Sequence, residues 1–271
     1  MLAVLAVLTG CGTDGQRSTT YTLLGSDTTA VDTPDVPTPT DGPDVTDSPT
    51  TITSEPVISE PDTTTTTVIT TAPTDARPLA LDLLAWVTVQ NEHRGGYVRD
   101  LFGYPTSFGG GCDTREMVLR RDSLTPAQVD PYGCKVVAGD WLSLYDGLHH
   151  DQPSELEIDH VIALKEAWDS GAWQWPSAAL HAFANDLDDV RTLRAVSTAT
   201  NRAKGDKDPS NWLPPDANDV CRYVADWVAI KVRWQMSMDQ SEFGRVRNLL
   251  KGPCAGTRVD PIAPPPVGIT P

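Results

Sequence analysis

Residues 12–76 contain no Trp, Phe, Met or Lys and a single Tyr. They are built from Thr, Pro, Asp, Ser and Gly, with a run of five threonines at 63–67. Such a stretch cannot bury enough apolar surface to offset the entropy of ordering it, so it reads as a disordered tether. Folding must therefore be done by about 77–260, which holds all eight Trp and four of the five Cys. That length suits one domain with its own core. The Pro-rich end, 261–271, reads as a disordered tail.

The same division governs the charge. The chain carries −16 overall, but 11 of its 37 acids and only one of its 21 bases fall in 12–76. The 26 acids and 20 bases that remain leave the folding part mildly acidic. Bulk acidity alone would argue against a nucleic-acid partner, whereas a local basic patch on the domain stays open. Residues 1–11, "MLAVLAVLTGC", form an apolar run too short to span a bilayer, ending in Leu-Thr-Gly-Cys. This resembles a bacterial lipobox, which implies lipidation at Cys11, a membrane anchor and an extracytoplasmic, surface-tethered or secreted protein of bacterial type.

Cys112, Cys134, Cys221 and Cys254 allow three disulfide connectivities in an exported domain. Pairing 112–134 with 221–254 keeps the loops short and is the expected set. No C-x-x-C pair supports a zinc site instead.

Residues 79–90 fit an amphipathic helix with Leu79, Leu83, Trp86 and Val87 on one side. Residues 134–147 read as a hairpin around a Gly-Asp turn. "ELEIDH" (155–160) reads as a strand, "LKEAWDSGAW" as a helix stopping near Gly171, and "TLRAV" (192–196) as a second strand. Ser197 is placed to cap a helix ending at Lys204, before Gly205. Val220, Tyr223, Val224, Trp227, Ile230 and Trp234 recur at helical spacing and read as core rather than as a base-stacking platform. Asp239 and Glu242 form a capping-box pattern for a last helix to Leu250.

Asp159 and His160 break the apolar pattern of their strand, and neighbours on a strand face opposite ways unless it ends there. Asn201 follows 41 residues later, on the first turn of the helix after the second strand. "IDHV" and "TLRAVSTATNRAKGD" resemble the HNH endonucleases, the ββα-metal fold. "GYVRDLFGY", "CDTREMVL", "GDWLSLYDG", "IDHVIALKEAWDSGAW", "FANDL", "NRAKGDKDPSNWLPP" and "CRYVADWVAIKVRWQMSMDQSE" look like secreted actinobacterial members of that family. They are also similar to the C-terminal module of a modification-dependent restriction system. The resemblance covers about 94–254. Family patterns often carry Asn where this chain has Thr192, and that Asn holds the loop orienting the base; Thr192 or the nearby Asn185 is the expected replacement.

The resemblance implies an α+β domain: a ββα-metal core within a mainly helical, disulfide-bonded chain. It implies a metal-dependent endonuclease leaving a 5′ phosphate, with DNA or RNA as substrate and a monomeric enzyme. Its chemistry suits these residue types. His160 is the general base, since an imidazole is largely neutral at pH 7. Asp159 and Asn201 offer hard oxygen ligands for Mg²⁺ or Mn²⁺. Arg202 and Lys204, within the basic run Arg191, Arg194, Arg202, Lys204 and Lys207, are candidates for phosphate contacts, and Arg115 joins them by resemblance alone. His149 and His150 read as surface loop residues, Asp186, Asp188 and Asp189 as loop and cap residues, and Asp206 and Asp208 as turn formers. The competing reading is a non-catalytic surface lipoprotein that keeps the fold to bind an envelope polymer or partner.

Overall fold

The computed structural model describes residues 75–270. The lipidation reading at Cys11 and nearly all of the 12–76 tether lie outside the described residues. No helix among those described is long and apolar enough to cross a membrane.

The architecture is α+β, built from short antiparallel pairs set into helices. Helix α1 (Ala80–Leu84) opens the domain. Strands β1 (Ser107–Gly109) and β2 (Cys112–Asp113) precede α2 (Thr114–Asp122). Strands β3 (Gln128–Val129) and β4 (Val136–Ala138) pair with each other, as do β5 (Trp141–Ser143) and β6 (Leu148–His150). Strand β7 (Leu156–His160) leads into α3 (Leu164–Asp169) and α4 (Ser177–Ala184). Strand β8 (Leu193–Ser197) runs directly into α5 (Thr198–Lys204), and α6 (Ala217–Arg233) and α7 (Gln240–Lys251) close the chain.

The central pair is β7–β8, antiparallel and in register from Leu156↔Ser197 to His160↔Leu193. Because side chains alternate, Leu156, Ile158, Leu193 and Ala195 pack on one side with Val118, Leu119 and Trp141. Glu157, Asp159, Arg194 and Val196 occupy the other side, and β8 is buried along its whole length. The larger core gathers around α6, whose Tyr223, Val224, Trp227, Val228 and Ile230 are all buried together with Trp234 just past its end, as their helical spacing predicts. Asp216 caps its first turn by accepting from the Asn218 amide.

Lys231, fully buried on α6, ties three elements together. Its ammonium donates to Glu166 Oε1 on α3 at 2.7 Å, to Ser170 Oγ at 2.6 Å and to the Ser237 carbonyl at 2.8 Å, and it lies 3.1 Å from Glu242 Oε1 on α7. Burial drives the Glu242 carboxyl up to about 8, with Lys231 opposing the rise. The disulfides are Cys112–Cys134 and Cys221–Cys254, the short-loop set.

Several sequence expectations are corrected. The helix over 79–90 ends at Leu84, and Trp86 is 78% exposed, because Val89 leaves the helix to bridge Met238. The hairpin over 134–147 is two half-hairpins: β4 pairs backward with β3 and β5 forward with β6. Gly139 marks the junction, where a Cβ would stand 2.4 Å from the Trp141 ring, so the chain passes close to the indole instead of reversing. Ser197 stands at the N-cap of α5 without capping it, its hydroxyl being engaged by His150 Nε2 at 2.7 Å. Asp239 does cap α7 through the Glu242 amide, but the Glu242 side chain turns into the core, to Trp227 and Lys231. The tail read as disordered lies against the domain. Ile262, Val267 and Ile269 pack on the main core, and the Arg233 guanidinium donates to the Ala263 and Pro264 carbonyls.

Candidate functional site

Strand β7 ends at His160, and the end of the strand lets consecutive side chains reach one cleft. A cleft of about 340 Å³ is lined by Asp159, His160, Asn201 and Arg202 together with Tyr97, Arg99 and Lys165. The structure thus brings together the three residues singled out from the sequence. Asp159 and His160 arrive from the strand, and Asn201 arrives from α5, which packs on the Glu157–Asp159 face of the pair.

His160 Nε2 lies 2.9 Å from the Ala184 carbonyl at the end of α4. A carbonyl only accepts, so Nε2 carries the proton and Nδ1 is left with the lone pair. Burial lowers the imidazole pKa to about 4, against the raising influence of the Ala184 carbonyl and the Asp159 carboxylate. The ring is therefore neutral at pH 7, in the tautomer that presents an acceptor at Nδ1. It also lines a second, smaller hollow with Arg99, Tyr104, Arg115 and Asn185.

Asp159 is 5% exposed and both its oxygens are engaged. Lys204 Nζ donates to Oδ1 at 2.9 Å and the Tyr145 hydroxyl to Oδ2 at 2.6 Å. Each carboxylate oxygen has two lone pairs, so one on each remains. Asn201 Nδ2 donates to Glu157 Oε2 at 2.8 Å, and its carbonyl oxygen accepts no hydrogen bond among the described residues. The donor set is all oxygen, which suits a hard divalent cation with several open positions. Asp159 and Asn201 Oδ1 are the atoms that would hold it, the Asp159 carboxylate being shared with the Lys204 ammonium.

Two of the three phosphate-contact candidates have other occupations. Lys204 is corrected outright: its ammonium is fully buried, donating to Asp159 and to the His160 carbonyl at 2.9 Å, and cannot reach a substrate phosphate. The helical spacing from Asn201 places it near the site but on the inner side of α5. Arg115 donates to the Pro153 and Leu156 carbonyls at 2.7 and 3.1 Å, bracing the start of β7 from the edge of the smaller hollow. Arg202 stays open, its side chain 74% exposed while it pairs with Glu157 at 2.9 Å. Of the wider basic run, Arg194 is buried against Asp219 and Asp226, and Arg191 pairs with Asp189 at 2.6 Å.

Thr192 and Asn185, the two expected replacements for the missing Asn, both hold backbone beside His160. Thr192 is fully buried; its carbonyl accepts from the Val161 amide at 3.0 Å, next to His160, and its hydroxyl donates to Asp186 Oδ2 at 2.9 Å. Asn185 accepts from the Thr106 amide at 2.8 Å and donates to the His181 carbonyl at 3.0 Å, fixing the end of α4 that holds the imidazole. Asp186 is no simple loop residue: it also receives Arg233 and the Trp234 indole at 3.1 Å. His150 is a bracing residue rather than a free surface one, set between Glu155 and Ser197.

Sequence reasoning passed over Tyr145, Glu157 and Arg99. Glu157 lies two residues before Asp159 on the same strand face, a period-2 signal that was available. Tyr145 reaches Asp159 from a separate hairpin, and nothing local in the sequence announces that contact.

No known family profile matches the chain, and no solved structure matches it. The chain is 38% identical over 172 residues to an uncharacterized secreted protein of Arthroderma benhamiae, the match covering 63% of this chain and 83% of that protein.

Proposed function

The chain belongs to the same family as that secreted Arthroderma benhamiae protein, and we propose that it is an extracytoplasmic, metal-dependent endonuclease that hydrolyses phosphodiester bonds in DNA or RNA. The observation that carries this reading is the convergence of His160, Asp159 and Asn201 on one cleft from an antiparallel strand pair and the helix that follows it. That arrangement supports the HNH, ββα-metal resemblance of the sequence. The two disulfides accord with an oxidising compartment. Anchoring through Cys11 belongs to the same proposal.

His160 Nδ1 takes a proton from the attacking water, and the Ala184 carbonyl holds the ring in the tautomer that allows it. A bound Mg²⁺ or Mn²⁺ would neutralise charge on the phosphate and stabilise the leaving oxygen. Asp159 and Asn201 would be its ligands. Lys204 fixes the Asp159 carboxylate and the His160 carbonyl together, so the base and the ligand keep their separation. Arg202 and Arg99, on the cleft wall, are the cations placed to meet backbone phosphates.

One observation favours the second reading, a non-catalytic binding lipoprotein: Lys204 already neutralises Asp159. Incubating the oxidised protein with supercoiled plasmid and with RNA, in Mg²⁺ or Mn²⁺ and then in EDTA, separates the two. The nuclease reading predicts nicking that EDTA abolishes and that Asn201→Ala reduces by about 100-fold or more. A folded wild-type protein that cleaves no nucleic acid would transfer the assignment to the binding reading.

A further inference from the structure

A second cleft, of about 580 Å³, lies beyond the wall formed by Lys165 and Asp206. Six carboxylates and three cationic side chains line it, which leaves it net negative. Within it Glu92, Glu166 and Asp208 each offer an oxygen, and the three oxygens lie within 4.8 Å of one another. That span is about twice a Ca²⁺–oxygen distance of roughly 2.4 Å.

Glu166 and Asp208 are 3% and 6% exposed, so their charges are held largely out of water. The cations nearby do not saturate them. Lys231 and Ser170 both use Glu166 Oε1, and the Ser210 amide and Asn211 use Asp208 Oδ1. No donor among the described residues reaches Glu166 Oε2 or Asp208 Oδ2. Arg94 pairs with Glu92 at 2.7 Å from an exposed side chain, and Lys207 is turned to the Ala203 carbonyl. Burial raises the Glu166 carboxyl above its ordinary range, Lys231 opposes this, and the Asp208 carboxylate adds to the rise.

An independent feature points into the same cleft. Asp169 is 6% exposed and lines it; one oxygen pairs with Lys165, while Oδ1 is buried with no hydrogen-bond donor. An ionised carboxylate can only accept, so Asp169, though paired with Lys165 through its other oxygen, keeps one unmet acceptor beside the three converging carboxylates.

We propose that Glu92, Glu166 and Asp208 form a calcium site, with Asp169 completing its negative field. Oxygen-only ligation suits a hard cation such as Ca²⁺ better than zinc, whose structural sites are built from Cys and His. None of the three ligands lines the His160 cleft. The ion ties the segment before Gly95 to α3 and to the turn after α5, bracing the two helices that follow the strands of the central pair.

The test is calorimetric titration of chelator-treated full chain with CaCl₂, paired with thermal unfolding, for wild type, Glu92→Gln, Asp208→Asn and Asn201→Ala. The site predicts near-stoichiometric calcium binding and a raised Tm. Both carboxylate variants weaken this binding by about tenfold or more, whereas Asn201→Ala leaves the isotherm that Glu92→Gln weakens in place and removes at most separate calcium held in the His160 cleft. Glu92 sits at the cleft edge, so its variant folds even if Asp208→Asn does not. Absence of calcium binding in wild type, binding untouched by Glu92→Gln, or loss of that isotherm in Asn201→Ala would each overturn it. The readout is binding, so it is independent of whether the protein cleaves nucleic acid.

Discussion

His160 donates from Nε2 to the Ala184 carbonyl, in a segment that Asn185 and Thr192 tie to the His181 carbonyl and to Asp186. Burial places its pKa near 4, below the ordinary value of 6.5. Cleavage should therefore hold steady from pH 8 to about pH 5 and fall along a limb centred near 4; a limb centred near 6.5 in the pH–rate profile would contradict this tautomer and burial. The folded state binds this proton less readily than the unfolded chain. The stabilising contribution of neutral His160 is thus complete above about 6.5 and lost progressively as pH falls to about 4. Lys204→Ala strands a carboxylate that is 5% exposed, and urea unfolding should show a loss of about 3–5 kcal/mol. A loss below about 1 kcal/mol would mean that the pair is not buried as described. Asp159 and His160 were legible in the sequence because polar groups in an apolar pattern stand out, and Asn201 only through the resemblance of its helix to the HNH pattern. The role of Lys204 was not, since helical spacing gives proximity to Asn201 without saying which neighbour reaches the ammonium first.

Elements were legible where a repeating apolar pattern or a cap marked them. Helix α6 spans 17 residues and its apolar stripe repeats often enough to define a face. Strands β7 and β8 were found within a residue, and α7 by its cap. Replacing Asp239 by Ala removes the acceptor of the Glu242 amide and should cost about 1 kcal/mol in denaturant unfolding. Helix α1 has five residues, too few for packing preferences to outweigh the pull of the bridge between Val89 and Met238. The segment 134–147 was misparsed because two- and three-residue strands carry almost no alternation; their partners are chosen by Trp141, buried with its indole on the Leu119 carbonyl at 2.7 Å.

At the scale of the molecule, composition set the end of the folding part too early, since residues after 260 pack on the domain. Prolines contribute no amide donors, so 261–270 shows neither periodicity nor a ladder pattern. It offers carbonyls instead, and Arg233 takes two of them. Truncation after Asp260 leaves that buried guanidinium with Asp186 alone and should destabilise the domain by about 1–3 kcal/mol, read from the shift in urea midpoint. The proposed phosphodiesterase activity rests on one imidazole at the end of one strand. It is tested most directly by single-turnover cleavage of plasmid in Mn²⁺ by wild type and His160→Ala, with matched circular dichroism and Tm. The variant should lose about 100- to 10,000-fold in rate while remaining folded; equal rates from two equally folded proteins would remove His160 from the chemistry.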